Sequence, residues 1–147
     1  MRVIAAVDVY QQADQTVDMA VAWAMRLGAR LDLLYVDEFP FSQDHLPDAT
    51  TRSDADAVWQ TTARRIDGEL ARLLERIPAE FRGEAHKGAG KASVVIGTMS
   101  AGYDALLIRT HGRSGLAHLL LGSVAGAVVR EAKVPVLVLH PRPAQTA

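Results

Sequence analysis

Val3-Ile4-Ala5-Ala6-Val7 is apolar at every position. A run without alternation is the pattern of a strand covered on both faces, so it predicts a strand inside a parallel sheet. The period then changes. Val17, Val21, Ala24 and Gly28 recur at helical spacing, predicting a helix that starts near Asp14 as N-cap and stops at Gly28, the residue type that ends helices in a left-handed conformation. Leu31 to Val36 is a second buried strand. From Asp37 to Asp56 the chain is polar, with Pro40, Pro47 and six acidic residues, and reads as a long loop excursion. Val58, Thr62, Ile66, Leu70, Leu73 and Ile77 then mark the core face of a long amphipathic helix, stopped before Pro78.

Phe81 to Lys87 is shorter and more polar, suiting an edge strand. Ala92, Val95, Ile96 and Met99 mark a third helix, and Asp104 to Arg109 a fourth buried strand around Ala105-Leu106-Leu107-Ile108. After a glycine-containing loop, Val124, Val128, Val129 and Ala132 predict the inner face of a last helix. Pro135 to His140 is the fifth strand, with proline at its first position, where a missing amide costs least. Pro141-Arg142-Pro143 cannot continue a central strand, so the domain is expected over residues 1–141 with a tail at 142–147.

Strand and helix alternate throughout, which implies an α/β fold: a five-stranded parallel sheet with helices on both faces. Two strand orders satisfy the pattern, 3-2-1-4-5 and 2-1-3-4-5. In either, a ligand sits beyond the carboxyl ends of the strands where the order reverses. For 3-2-1-4-5 that crevice lies between the first and fourth strands, so the loops after Val7 and after Ile108 are the places to inspect.

Composition narrows the partners. The chain has 147 residues, one domain's length, and 49% of them are hydrophobic, enough for a full core. Sixteen Lys and Arg against seventeen Asp and Glu leave a formal charge of −1, so no broad basic field exists to gather nucleic acid. The absence of cysteine excludes disulfides, thiolate metal sites and a Cys nucleophile, and suits a reducing cytoplasm. The first apolar run is too short for a signal-peptide core, and no stretch approaches the roughly 18 apolar residues of a membrane span. A cytoplasmic domain without a membrane partner is expected.

Candidate chemistry concentrates in Arg109-Thr110-His111-Gly112-Arg113-Ser114-Gly115 and in Gly122-Ser123, which opens the last helix. Glycines let backbone amides approach an anion, and a helix start adds unpaired N–H groups and partial positive charge. With the Ser123 hydroxyl and the Arg113 guanidinium these make a phosphate cradle; an ordinary Gly-Ser helix entry with turn glycines is the plainer alternative. Asp8 is a lone carboxylate at a strand end in the crevice.

The stretch Thr110-His111-Gly112-Arg113-Ser114-Gly115, the nine residues between Gly112 and Gly122, Ser123, and Val134-Pro135-Val136-Leu137-Val138-Leu139 together resemble the universal stress protein family. Asp8 and Val36-Asp37 extend the resemblance over nearly the whole domain. It implies the 3-2-1-4-5 sheet, a dimer and, in the nucleotide-binding branch, ATP held over a Gly-x-x-Gly-(nine residues)-Gly-Ser/Thr pattern. Carried over, the amides around Gly112, Arg113, Gly122, Ser123 and Val124 meet phosphates, Asp8 faces the adenosine and the Val36 backbone touches adenine. ATP, ADP or AMP, with or without Mg²⁺ on its phosphates, is the implied ligand. Two positions depart from the pattern. Arg109 stands at its first glycine, either clamping a phosphate or filling the ribose space, and Val9-Tyr10 replaces the small-Ser pair after the aspartate.

Other motifs fail on spacing. Gly88-Ala89-Gly90-Lys91-Ala92 lacks both the first glycine (Ala85) and the hydroxyl (Ala92) of a P-loop and reads as a turn opening the third helix. Leu116 stands where a nucleophile elbow needs its second glycine. His45, His86, His111, His118 and His140 are too scattered for a zinc set. Trp23 and Trp59 read as packing residues. No positioned acid–base pair is evident, so efficient hydrolysis is not expected. The primary expectation is a dimeric stress-response regulator that binds an adenine nucleotide, the dimer forming through antiparallel pairing of Pro135-His140 with its copy. A nucleotide-free scaffold dimer, favoured by Arg109 and Tyr10, is the alternative.

Overall fold

Strands and helices alternate as β1 (Arg2–Ala6), α1 (Ala13–Leu27), β2 (Arg30–Asp37), α2 (Thr50–Glu75), β3 (Arg82–Ala89), α3 (Ala92–Ser100), β4 (Ala105–Arg109), α4 (Ser123–Glu131) and β5 (Val136–Leu139). The structure is a computed structural model and describes residues 1–38, 50–110 and 121–141, with 50–55 by backbone alone. The five strands form one parallel sheet in the order β3-β2-β1-β4-β5. Of the two orders compatible with the sequence, the fold takes 3-2-1-4-5.

Two-residue alternation along the central strands divides the core into two layers. Val3, Ala5, Leu31, Leu33 and Leu107 face α1 and α2, meeting Val17, Ala20, Ala24, Ile66, Leu70 and Leu73. Ile4, Leu34, Leu106 and Ile108 face α3 and α4, meeting Ala92, Ile96, Ala125 and Val128. Both faces are therefore covered, which is why β1, β2 and β4 carry apolar residues at nearly every position. Each fully buried Leu or Ile side chain contributes on the order of 1.5–3 kcal/mol of hydrophobic free energy. β3, at one edge, is polar and half-exposed as expected; β5 forms the other edge.

Four expectations are corrected. α1 does not start on Asp14: its N-cap is Gln12, in a left-handed conformation (φ 50°) and without a side-chain cap bond. Asp14 lies inside the first turn, where its carboxylate suits the positive helix end and pairs with Arg72 of α2 and with Arg76 just beyond that helix. The polar stretch expected to run as loop to Asp56 is already helical from Thr50. Ile66, Leu70, Leu73 and Ile77 are core, but Val58 is 55% exposed. Twenty-six helical residues span about 39 Å, whereas an eight-residue strand spans about 26 Å, so the start of α2 overhangs the carboxyl ends of the strands. On α4, Val128 is buried and Val124 packs against the core as predicted, but Val129 is exposed and Ala125 is buried instead.

Gly28 ends α1 as predicted, at φ 61°, its N–H reaching the carbonyls of Ala24 and Met25. Among the described residues no helix is long and apolar enough to cross a membrane. The tail at 142–147 lies outside the described residues.

Candidate functional site

A cavity of about 470 Å³ opens at the carboxyl ends of β1, β2 and β4, at the reversal of strand order. That volume is in the range of small-molecule sites. Four of the predicted residues line it, each from a different segment: Asp8 after β1, Val36 near the end of β2, Arg109 at the end of β4 and Val124 in the first turn of α4. Gly122 and Ser123 form the start of α4 but do not line this cavity, and Gly112 and Arg113 lie outside the described residues, as do His111, Ser114 and Gly115.

The start of α4 suits anion binding. Gly122 is the N-cap with extended backbone (φ −55°, ψ 159°) and no side-chain cap bond, and its carbonyl accepts from the Gly126 N–H at 2.8 Å. Among the described residues no side chain caps the first N–H groups of the helix, and Val124 and Ala125 bring that turn to the cavity.

Among the described residues of the lining, Arg109 carries the positive charge. Its Nη2 donates to the side-chain carbonyls of Gln12 and, at 3.0 Å, of Gln15, both at the beginning of α1. Its Nε is buried without a partner among the described residues, and burial pushes the guanidinium pKa below its ordinary value. Arg109 is thus neither loose in solvent nor paired with an acid among those residues.

The opposite rim is acidic and aromatic. Asp8 Oδ1 accepts the Tyr10 N–H at 2.9 Å, which folds the turn after β1. Glu38 Oε1 accepts the Ala92 N–H at 3.1 Å, so the start of α3 is capped by a residue following β2. Lys91 is the N-cap of α3 behind Gly90 (φ 128°), consistent with a turn rather than a P-loop. Tyr10, 64% exposed, meets the Tyr35 ring edge-on at 6.4 Å. The Tyr35 phenol is pushed up to about 12 by burial and by nearby Tyr10 and Asp37.

Trp59 was read from sequence as a packing residue. In the fold it is 40% exposed and lines this cavity together with a neighbouring one of about 250 Å³ bounded by Tyr35, Ile66 and Gly88. The overhang of α2 puts it there. Its spacing, one residue from the Val58-Thr62-Ile66 stripe, was the only sequence signal.

Sequence reading also missed a polar cluster at the other end of the sheet. Asp32, 1% exposed on β2, accepts from Tyr103 Oη (2.6 Å), Arg2 Nη2 (3.0 Å) and the Glu84 N–H (3.2 Å), with His86 Nε2 at 2.9 Å. A carboxylate inside the apolar run Leu31-Asp32-Leu33-Leu34 was the available signal, because a buried charge requires partners. His140 Nδ1 lies 3.2 Å from Thr110 Oγ1, a structural contact. No three His, Asp or Glu side chains converge to hold a metal among the described residues.

Comparison with solved structures places this architecture. A universal stress protein solved in complex with cAMP is 20% identical, with 95% of this chain and 96% of that chain covered and a TM-score of 0.64. A universal stress protein from Lactobacillus plantarum is 17% identical over 94% of this chain and 97% of its own, at a TM-score of 0.70. A universal stress family protein from Burkholderia pseudomallei is 24% identical over 93% and 94%, at 0.58. At such identities these likenesses establish the fold alone. No curated protein sequence matches significantly. The family model of the Universal stress protein family, however, matches residues 1–140, and the chain belongs to that family.

Proposed function

We propose that this protein binds an adenine nucleotide, ATP or its relatives ADP and AMP, in the crevice between β1 and β4, and acts as a homodimeric stress-response regulator in the cytoplasm. One observation carries the reading: a single cavity at the switch point gathers Asp8, Val36, Arg109 and Val124 from segments far apart in sequence. The lining is polarised, with Asp8, Asp37 and Glu38 toward β1 and β2 and Arg109 with the α4 start toward β4. A ligand with hydroxyls and a ring at one end and phosphate at the other matches that polarity. The solved relative in complex with cAMP, itself an adenine nucleotide, supports the same ligand class. In this reading main-chain amides and a helix start do the binding, any Mg²⁺ rides on the phosphates, and efficient hydrolysis is not expected, no side-chain pair being set for it among the described residues.

The dimer reading rests on β5. The Leu106 N–H donates to Pro135 O (2.9 Å) and the Thr110 N–H to Leu139 O (3.0 Å), so these carbonyls point inward to β4. The alternate peptide groups, at Val136 and Val138, face outward along an apolar edge, which favours pairing with a second copy.

Titration with a fluorescent ATP analogue, with and without Mg²⁺, tests the nucleotide reading; saturable binding is expected, and none up to millimolar nucleotide would remove it. A nucleotide-free scaffold dimer is the second reading, favoured by the grip of Arg109 on Gln12 and Gln15 and by Tyr10 at the cavity. Gly122→Val separates the two. The backbone there (φ −55°) lies outside the region reserved for glycine, so loss of nucleotide binding by a variant that circular dichroism shows to be folded would report close approach of a ligand.

A further inference from the structure

The turn from β1 into α1, Asp8-Val9-Tyr10-Gln11-Gln12, contains no glycine. It must nonetheless redirect the chain between two anchors: the Val7 N–H, which donates to Leu34 O at 2.9 Å, and Gln12, the N-cap of α1. Gln12 does so at φ 50° and ψ 37°, and among the described residues it is the one non-glycine with positive φ. A Cβ in that region crowds the following carbonyl, so the conformation persists only where its surroundings fix it.

Two neighbours fix it. On one side the Gln12 carbonyl accepts from the Thr16 N–H (3.1 Å) and the Thr16 hydroxyl (3.2 Å), both inside α1. On the other, the Gln12 side-chain oxygen accepts from Arg109 Nη2, which also donates to Gln15 Oε1 at 3.0 Å. Both hydrogens of that nitrogen are thereby committed to α1 from the end of β4, the strand beside β1. The same turn carries Asp8 at its other end. Asp8 Oδ1 accepts the Tyr10 N–H at 2.9 Å and Asp8 O the Gln11 N–H at 3.2 Å, which ties the carboxylate to the backbone leading into Gln12. Asp8, Tyr10 and Gln11 all line the crevice.

We propose that Arg109 is a positioning residue: its Nη2 group holds Gln12 in the left-handed conformation and, through the turn, sets where Asp8 and Tyr10 stand in the crevice wall. This rests on the adenine-nucleotide reading above only for what Asp8 meets there. The role differs from a phosphate clamp, because it acts on adenosine as much as on AMP. It differs from filling space, because it needs the N–H donors of the guanidinium rather than its bulk.

Amide exchange followed by NMR on the full chain tests the hold in the wild type, Arg109→Met, Gln12→Gly and the double variant. Arg109→Met keeps the bulk and removes the donors. It should speed exchange at Gln11 and Thr16 by about five- to thirtyfold, the population change that one left-handed non-glycine residue can impose, and leave the strands unchanged. Glycine accepts φ 50° without strain, so Gln12→Gly should keep the turn, and adding Arg109→Met to it should change exchange by less than about twofold. Calorimetric titration adds a functional readout: Arg109→Met should weaken adenosine and AMP by the same factor, about three- to tenfold, and Gln12→Gly in that background should restore both. Unchanged exchange in Arg109→Met, an equally large effect in the Gln12→Gly background, or an adenosine affinity that Arg109→Met leaves intact would overturn the assignment while leaving a nucleotide site standing. If the wild type binds neither compound, the nucleotide reading fails and exchange alone decides the hold. Should Arg109→Met not fold, Gln12→Ala removes the acceptor of the same bond while keeping a Cβ, and should show the same rise in exchange.

Discussion

Asp32 on β2 and Glu84 on β3 are joined across an irregularity in the sheet: the Glu84 N–H donates to the Asp32 carboxylate, at 3.2 Å. The register shifts at this point, Leu31 opposing Arg82 and Leu33 opposing Ala85, so β3 spends one residue more than β2. An extra residue leaves a ladder group unpaired, and a buried side chain supplies the acceptor. His86, Tyr103 and Arg2 satisfy the rest of the carboxylate.

That arrangement makes stability depend on pH in a definite direction. Burial alone would raise the Asp32 pKa, but bonds from Tyr103, His86, the Glu84 N–H and Arg2 outweigh it and hold the carboxyl below its ordinary value of 3.8. A depressed folded pKa contributes stability that is complete above the ordinary carboxylate range and is lost as pH falls through the folded value. Tyr103 works at the other limb. Burial and the Asp32 acceptor raise its phenol from 10.0 to about 12, so its contribution is complete below pH 10 and is lost as pH rises toward 12. Urea unfolding across pH should show both limbs, and Asp32→Asn should flatten the acidic one. Asp32→Ala should cost about 2–4 kcal/mol near neutrality, since it strands several polar partners.

Gly83 is required by the same carboxylate. A Cβ there would stand 2.8 Å from Leu31 O and closer still to Asp32 Oδ1, at 1.8 Å. Gly83→Ala should destabilise by about 2–4 kcal/mol, because backbone or a buried charge must move. On the outer side of α2 the same change has the opposite sign. Gly68 meets nothing within 4 Å, and Gly68→Ala should stabilise by about 0.5–1 kcal/mol through helix propensity. Chemical denaturation of the two variants in parallel checks both signs.

Trp59 offers a direct readout of the cavity. It lines the crevice, whereas Trp23 lies under the Arg26 guanidinium on α1. Nucleotide added to Trp23→Phe should change the remaining tryptophan emission saturably; the same titration of Trp59→Phe should give little change. An equal response from both variants would place the ligand elsewhere.

The β5 edge can be closed without disturbing β4. Val138→Pro removes an outward N–H and keeps the inward bonds of Pro135 O and Leu139 O. Sedimentation should show a dimer for the wild type at micromolar concentration and a monomer for the variant. A wild type with the mass of one chain would refute the edge-pairing model.

Much of the architecture is written in local pattern. The apolar runs at Val3-Val7, Leu31-Val36 and Ala105-Ile108 declared strands covered on both faces, because only such strands lack alternation, and Gly28 declared a helix end through its left-handed backbone. Local pattern could not choose between two strand orders, since both bury the same residues. It placed Asp8, Val36, Arg109 and Val124 in a crevice only through family resemblance and topology. What tertiary structure alone decided were relations between distant segments. The overhang of α2 carries Trp59 to the cavity because its helix is longer than the strands it covers. Arg109 meets Gln12 and Gln15 because β4 ends beside the start of α1. Asp32 is buried with its charge because β3 takes an extra residue beside it. Periodicity reports which face of an element is dry; which charges meet across elements depends on lengths and registers that appear only when the sheet is assembled.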